Sequence, residues 1–160
     1  MSSVRDRAMM ARAIQLAWRG RYSTHPNPRV GCVIAQGDRI VGEGWHERAG
    51  EAHAEVRALS QAGAEARGAT AYVTLEPCSH FGRTPPCARA LIDSGVARVF
   101  AAITDPNPAV SGRGLAMLRS AGIKVHEGLL AEQARRLNPG FLKRMTTGRP
   151  WVRLKMAASL

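Results

Sequence analysis

Thr74-Leu75-Glu76-Pro77-Cys78-Ser79-His80-Phe81-Gly82-Arg83-Thr84-Pro85-Pro86-Cys87 holds two of the three cysteines in this 160-residue chain, with His53-Ala54-Glu55 upstream of it. The stretch decides the architecture. The apolar run Ala69 to Leu75 reads as a strand that delivers Glu76-Pro77-Cys78 at its carboxyl end, and a helix from about Pro86 to Ser94 starts at the second cysteine. Proline is tolerated in a first helical turn, and a helix amino terminus favours thiolate over thiol. His53 opens another helix, running to about Ala62. Both halves of the motif therefore sit at helix amino ends that face strand ends.

The residue types are those of a hydrolytic metal site. Zinc takes imidazole nitrogen and thiolate sulfur, and catalytic sites keep three protein ligands with a fourth position for water. His53, Cys78 and Cys87 fill the three positions, and zinc lowers the pKa of its water from about 15.7 to roughly 7. Glu55, two residues past His53, is placed to act as general base and then general acid. A structural zinc site uses the same residue types but wants a fourth ligand. Cys32 lies in the apolar run Val30 to Ala35 and reads as core, and His80 reads as a substrate contact or, failing that, the fourth ligand.

Outward from the motif, Val4 to Arg19 form an amphipathic helix with Met10, Ala13, Ile14, Ala17 and Trp18 at helical spacing, and Met10 and Trp18 are expected in the core. Gly20 and Thr24 to Pro28 break it. Val30 to Ala35 and Ile40 to Trp45 make a hairpin around Gln36-Gly37-Asp38. After the motif come a strand at Ala97 to Ile103, a helix at Gly114 to Ser120, a strand at Ile123 to Glu127 and a helix at Leu129 to about Leu137. This order predicts an α/β protein, a three-layer α/β/α sandwich around a central mixed sheet of about five strands.

The length suits one domain with a sizeable core, and 45% hydrophobic with 22% charged residues fits a soluble globular chain. Arg5, Arg7 and Arg12 interrupt the opening segment, so no signal peptide is read, and no apolar run approaches the roughly 18 residues of a membrane span. A cytoplasmic setting is expected, which the sparse cysteines suit. The net charge of +11 attracts phosphates, on a small substrate or on nucleic acid. The basic residues are scattered without interleaved aromatics, and charge alone does not choose between a nucleotide-like substrate and RNA; it is the long spacing between Cys78 and Cys87 that makes a nucleic-acid partner unexpected.

His-x-Glu followed by Pro-Cys and a second cysteine resembles the zinc-dependent nucleobase deaminases. A closer resemblance runs through Pro26-Asn27-Pro28, Val30 to Ile34, Val41 to His46, His53-Ala54-Glu55, Thr74 to His80, Thr84 to Cys87 and Asp105-Pro106-Asn107-Pro108. Over nearly the whole chain it is similar to the deaminase domain of the bacterial riboflavin-biosynthesis deaminase/reductases, in the cytidine-deaminase-like superfamily. The eight residues between Cys78 and Cys87 carry it best, because nucleic-acid deaminases use a C-x-x-C spacing there.

The resemblance implies one zinc per chain and hydrolysis of the 2-amino group of 2,5-diamino-6-ribosylamino-4(3H)-pyrimidinone 5′-phosphate, giving 5-amino-6-ribosylaminouracil 5′-phosphate and ammonia. It places Asn27, His46, His80, Arg83, Asp105 and Asn107 at the substrate. Asn27 can read a pyrimidinone edge or ribose hydroxyl, and Arg83 can hold the 5′-phosphate bidentately. Asp105 and Asn107 have a competing reading as turn formers, and His46 as a packed imidazole. A dimer or tetramer is implied, with a small phosphorylated pyrimidine as the partner molecule. The alternatives are a deaminase of other nucleosides or of nucleic acid, and a structural zinc module. Residues 1–148 read as the deaminase domain. Residues 149–160 look like the first strand of a following reductase domain, and NADPH is expected only for that domain.

Overall fold

The computed structural model describes residues 2–80, 85–108 and 110–158. Helix α1, Val4–Trp18, opens on a capping box: Asp6 N–H donates to Ser3 Oγ (3.1 Å) and Ser3 N–H donates to Asp6 Oδ2 (2.7 Å). Its buried face is Met10, Ala13, Ile14, Leu16 and Ala17. Trp18 departs from the expected core position and is 39% exposed. It stands about 100° round the helix from Ala17, where the guanidinium groups of Arg29 and Arg21 lie 5.6 and 5.7 Å from its ring.

The hairpin is present as β1, Gly31–Gln36, and β2, Arg39–Trp45, paired antiparallel. Strand β3, Thr70–Val73, pairs antiparallel with the other edge of β1. Strand β4, Arg98–Ala101, and strand β5, Lys124–Glu127, extend the sheet in parallel. The order β2-β1-β3-β4-β5 is the mixed five-stranded sheet expected. β3 and β4 are shorter than their apolar runs, although Ala102 N–H still donates to Val73 O (2.9 Å) and Glu76 N–H to Ile103 O (2.9 Å) beyond the ladder.

Alternation along the strands feeds two cores. Cys32, Ile34, Ala71, Val73, Val99 and Ala101 face helices α2 (Ala54–Ala62), α3 (Cys87–Asp93) and α4 (Arg113–Ser120). Val33, Ala35, Tyr72 and Phe100 face α1 and α5 (Ala131–Arg135). The three layers follow. Because β1 is covered on both faces, its sequence is a continuous apolar run rather than an alternating one.

A sixth helix, α6 at Pro139–Thr147, adds to the expected set. Pro139-Gly140 looks like a breaker, but proline at a first helical position loses only an amide that has no partner there. Residues 149–158, expected to begin a strand, carry no helix or strand and are exposed.

Candidate metal centre and active site

Three backbone ends meet at the carboxyl edge of the sheet. His53 is the N-cap of α2 and makes no capping bond with its side chain, which leaves the imidazole for other work. Gly44 of β2 permits this placement, since a Cβ there would lie 2.3 Å from Ala54 O in the first turn of α2. Cys78 follows Glu76-Pro77 off β3. Cys87 is the first residue of α3, and Pro86 sits at the N-cap rather than inside the helix.

His53 Nδ1 lies 3.2 Å from Cys87 Sγ and 3.7 Å from Cys78 Sγ, and the three ligand atoms fall within 4.8 Å of one another. Atoms bound tetrahedrally to zinc at its usual N and S distances are about 3.5–3.8 Å apart, so this donor set fits one zinc ion. Cys32 is fully buried in the core, away from the set. His80 is exposed at the cavity mouth and does not join the group.

The hydrogen bond between the two thiols shifts them in opposite directions. The hydrogen bond from Cys87, working against burial, and then the bond from His53 pull Cys78 down to about 4. The same hydrogen bond pushes the Cys87 thiol up, and burial adds to it. The helix amino end also serves the neighbouring cysteine: Cys87 N–H donates to Cys78 Sγ at 3.2 Å. Ala88 N–H also donates to Cys78 O at 3.1 Å, which joins the two cysteine segments. Hydrogen bonding to Cys78 raises His53, against its burial.

Glu55 is buried in the first turn of α2, and burial lifts its carboxyl to about 7 against the pull of its own backbone amide and of His53. It lines a cavity of about 360 Å³ together with His53 and Cys78, a volume within the range of small-ligand pockets.

The same cavity receives Asn27, His46, His80, Asp105 and Asn107. His46 is both packed and at the cavity. Its ring is buried edge-on to His53, with Nε2 3.2 Å from Asn27 Nδ2 and Nδ1 3.4 Å from Ala52 O. Since the Asn27 amide nitrogen only donates, Nε2 accepts and Nδ1 carries the proton. This neutral ring agrees with burial lowering the His46 pKa. Asp105 and Asn107 form a turn, with Asn107 N–H donating to Asp105 Oδ1 at 2.8 Å, and both residues line the cavity. Burial raises Asp105, against the Asn107 amide. Arg83, with Gly82 and Thr84 of the same motif, lies outside the described residues.

Glu76 has a role that its sequence position leaves unstated. It is buried, and its carboxylate accepts from the backbone N–H groups of Asp105 (3.0 Å), Gly112 (2.9 Å) and Gly114 (2.9 Å). One side chain thus ties the segment carrying Cys78 to the loop carrying Asp105 and Asn107. Gly114 lets them approach, since a Cβ there would lie 1.9 Å from Pro77 O. Phe141 of α6 is a second lining residue that no motif marks.

Residues 3–103 match the family described as cytidine and deoxycytidylate deaminase zinc-binding region. The chain is 64% identical over 157 residues to the riboflavin biosynthesis protein RibD of Escherichia coli K12, covering 98% of this chain and 43% of that protein. It is 54% identical over 147 residues to the diaminohydroxyphosphoribosylamino-pyrimidine deaminase of Buchnera aphidicola subsp. Schizaphis graminum, covering 92% of this chain and 100% of that one. A solved structure of Acinetobacter baumannii RibD superposes with a TM-score of 0.95 at 58% identity, over 98% of this chain and 44% of that chain. The chain thus spans less than half the length of these RibD proteins and the whole of the Buchnera enzyme. It belongs to the cytidine and deoxycytidylate deaminase zinc-binding family and, within it, to the diaminohydroxyphosphoribosylamino-pyrimidine deaminases.

Proposed function

We propose that this chain hydrolyses the 2-amino group of 2,5-diamino-6-ribosylamino-4(3H)-pyrimidinone 5′-phosphate, releasing ammonia and 5-amino-6-ribosylaminouracil 5′-phosphate. The observation that carries this reading is the opening of Glu55, His53 and Cys78 onto one cavity, with Cys87 closing the ligand set.

Zinc held by His53, Cys78 and Cys87 supplies a Lewis acid that makes water nucleophilic near neutral pH. Glu55 moves the protons. Its carboxylate would accept one from the attacking water and pass it to the pyrimidine ring nitrogen, then take the second from the hydroxyl that the water has become and deliver it to the departing amine as the carbonyl forms. Water plus the amidine gives a carbonyl and ammonia, so atoms and charge balance. A carboxyl lifted by burial to about 7 is matched to both tasks at neutral pH. Asn27, oriented by His46, reads the heterocycle edge, while His80, Asp105 and Asn107 contact the polar substituents and Arg83 the phosphate. Val30 and Leu75 keep bulk water from the reacting atoms.

The relatives' greater length supports reading residues 149–160 as the start of a following reductase domain, the part that would use NADPH. Family resemblance supports a homo-oligomer, and three free cysteines suit the cytoplasm. Among the described residues no helix is long and apolar enough to cross a membrane.

The test is ammonia release by the zinc-loaded protein from the phosphorylated diaminopyrimidinone, beside its dephosphorylated form and cytidine. Rapid release from the phosphorylated compound alone is expected. Release from cytidine alone, or from none of the three with zinc bound, would overturn the reading.

A further inference from the structure

The metal group, Glu55, Asn27 and His46 all fall within the 3–103 stretch that the broad cytidine and deoxycytidylate deaminase family shares. Phe141 does not. It comes from α6, yet it lines the same cavity as Glu55. What holds it there is a set of bonds across 109 residues of sequence. Asn138 is 7% exposed and stands at the N-cap of α6, but its side chain makes no capping bond. The amide turns instead to the backbone of Arg29. Arg29 N–H donates to Asn138 Oδ1 at 2.7 Å, and Asn138 Nδ2 donates to Arg29 O at 2.8 Å. A third bond runs from Arg29 Nη1 to Leu137 O at 2.6 Å.

The neighbours of Arg29 in sequence, Pro28 and Val30, line the cavity, as does Asn27. The clamp therefore fixes the Asn27 wall and the Phe141 wall relative to one another. Asparagine at an N-cap is normally spent on the first-turn amides of its own helix. Here it satisfies a donor and an acceptor on another segment, with the separate oxygen and NH₂ of its carboxamide.

We propose that Phe141 is a specificity-determining residue whose ring packs against the pyrimidine and its ribosyl arm, and that Asn138 and Arg29 are positioning residues that set this ring. The proposal rests on the deaminase reading above. An aromatic wall adds binding through apolar contact with a flat heterocycle, and it does so without touching the proton path through Glu55. Its loss is felt in substrate binding rather than in the chemical step.

The experiment compares zinc-loaded wild-type enzyme with F141A, F141L, N138A and the F141A/N138A double variant, recording kcat, KM, bound zinc and Tm, with dCMP offered as a competing pyrimidine. F141A is expected to raise KM for the phosphorylated diaminopyrimidinone about tenfold with kcat little changed and zinc retained, and to lower selectivity over dCMP by the same factor. F141L falls between F141A and wild type. N138A moves KM in the same direction by less, and the double variant is no worse than F141A, because Asn138 acts through the ring.

An unchanged KM in folded, zinc-loaded F141A overturns the proposal; if F141A fails to fold, an unchanged KM in F141L does so. Additive effects in the double variant overturn the positioning role of Asn138. A wild-type enzyme that binds zinc and releases no ammonia overturns the deaminase reading and this one with it, whereas an active wild type with an indifferent Phe141 overturns this one alone.

Discussion

The Tyr72 hydroxyl donates to Asp6 Oδ1 at 2.7 Å, joining the middle of the sheet to the first turn of α1 across 66 residues. Both partners are buried, and the other carboxylate oxygen of Asp6 takes the Ser3 amide and hydroxyl. Tyr72→Phe removes one donor and leaves a buried carboxylate oxygen short of a partner. A loss of about 1–3 kcal/mol is expected in urea unfolding. Unchanged stability would show that the bond is replaced by water.

The same carboxylate sets an acid limit. Burial pushes Asp6 upward, but the Ser3 amide, the Tyr72 hydroxyl and the Ser3 hydroxyl outweigh it and hold it below its ordinary value of 3.8. A depressed folded pKa contributes stability that is fully present above the ordinary value and is lost as pH falls through the lower, folded one. The urea midpoint should therefore drop as the pH falls through and below the ordinary value of 3.8, and less steeply in D6N. Equal slopes in the two proteins would remove Asp6 from the account.

Glu55→Gln keeps size and packing and removes the proton carrier. The variant should bind zinc and melt at or above the wild-type temperature, since a buried acid has been replaced by a neutral amide, while turnover falls by about 10²–10⁴. Zinc content, Tm and ammonia release on one sample decide it. Turnover near wild type would leave the cavity without its base.

Chelation separates a catalytic from a structural metal. His53, Cys78 and Cys87 cap the ends of elements whose cores are packed independently of them, with Leu91, Val99 and Leu118 fully buried beneath. The metal-free protein should lose ammonia release, keep its far-UV circular dichroism and melt at a lower temperature, because a ligand that binds only the folded state adds stability by mass action. Collapse of the spectrum would mark the site as structural. Uptake of zinc should weaken at acid pH, because the ligands must give up protons to bind it.

Glu76→Gln turns an amide NH₂ toward backbone donors in either orientation, since Gly114 N–H points at one oxygen and the amides of Asp105 and Gly112 at the other. A loss of about 1–3 kcal/mol is expected, with a raised KM as the Asp105 loop loosens. Wild-type stability in this variant would dissociate the carboxylate from the loop.

The layers, the mixed five-stranded sheet and the metal group were legible because each leaves a local mark. Strands such as Val30 to Ala35 are dense apolar runs, and His53, Cys78 and Cys87 come from residue types with few other uses. What was not legible depends on partners distant in sequence. Trp18 shares the apolar character of its helix but stands at its edge among arginines. α6 begins with a proline that looks like a stop. Glu76 resembles any acidic residue before a turn until three amides from residues 105–114 converge on it, and Phe141 has no signature beyond being apolar.

Cys87 N–H on Cys78 Sγ and Ala88 N–H on Cys78 O stitch together the two ends of the segment between the cysteines. Where the two ends of a segment are already held together, a change in its length adds little entropic cost. Residues 79–86 are thus a natural graft point. Segments of other lengths and sequences can be exchanged there while the ligand atoms stay in register, so a library confined to this stretch offers a route to new substrate preferences on an unaltered catalytic base.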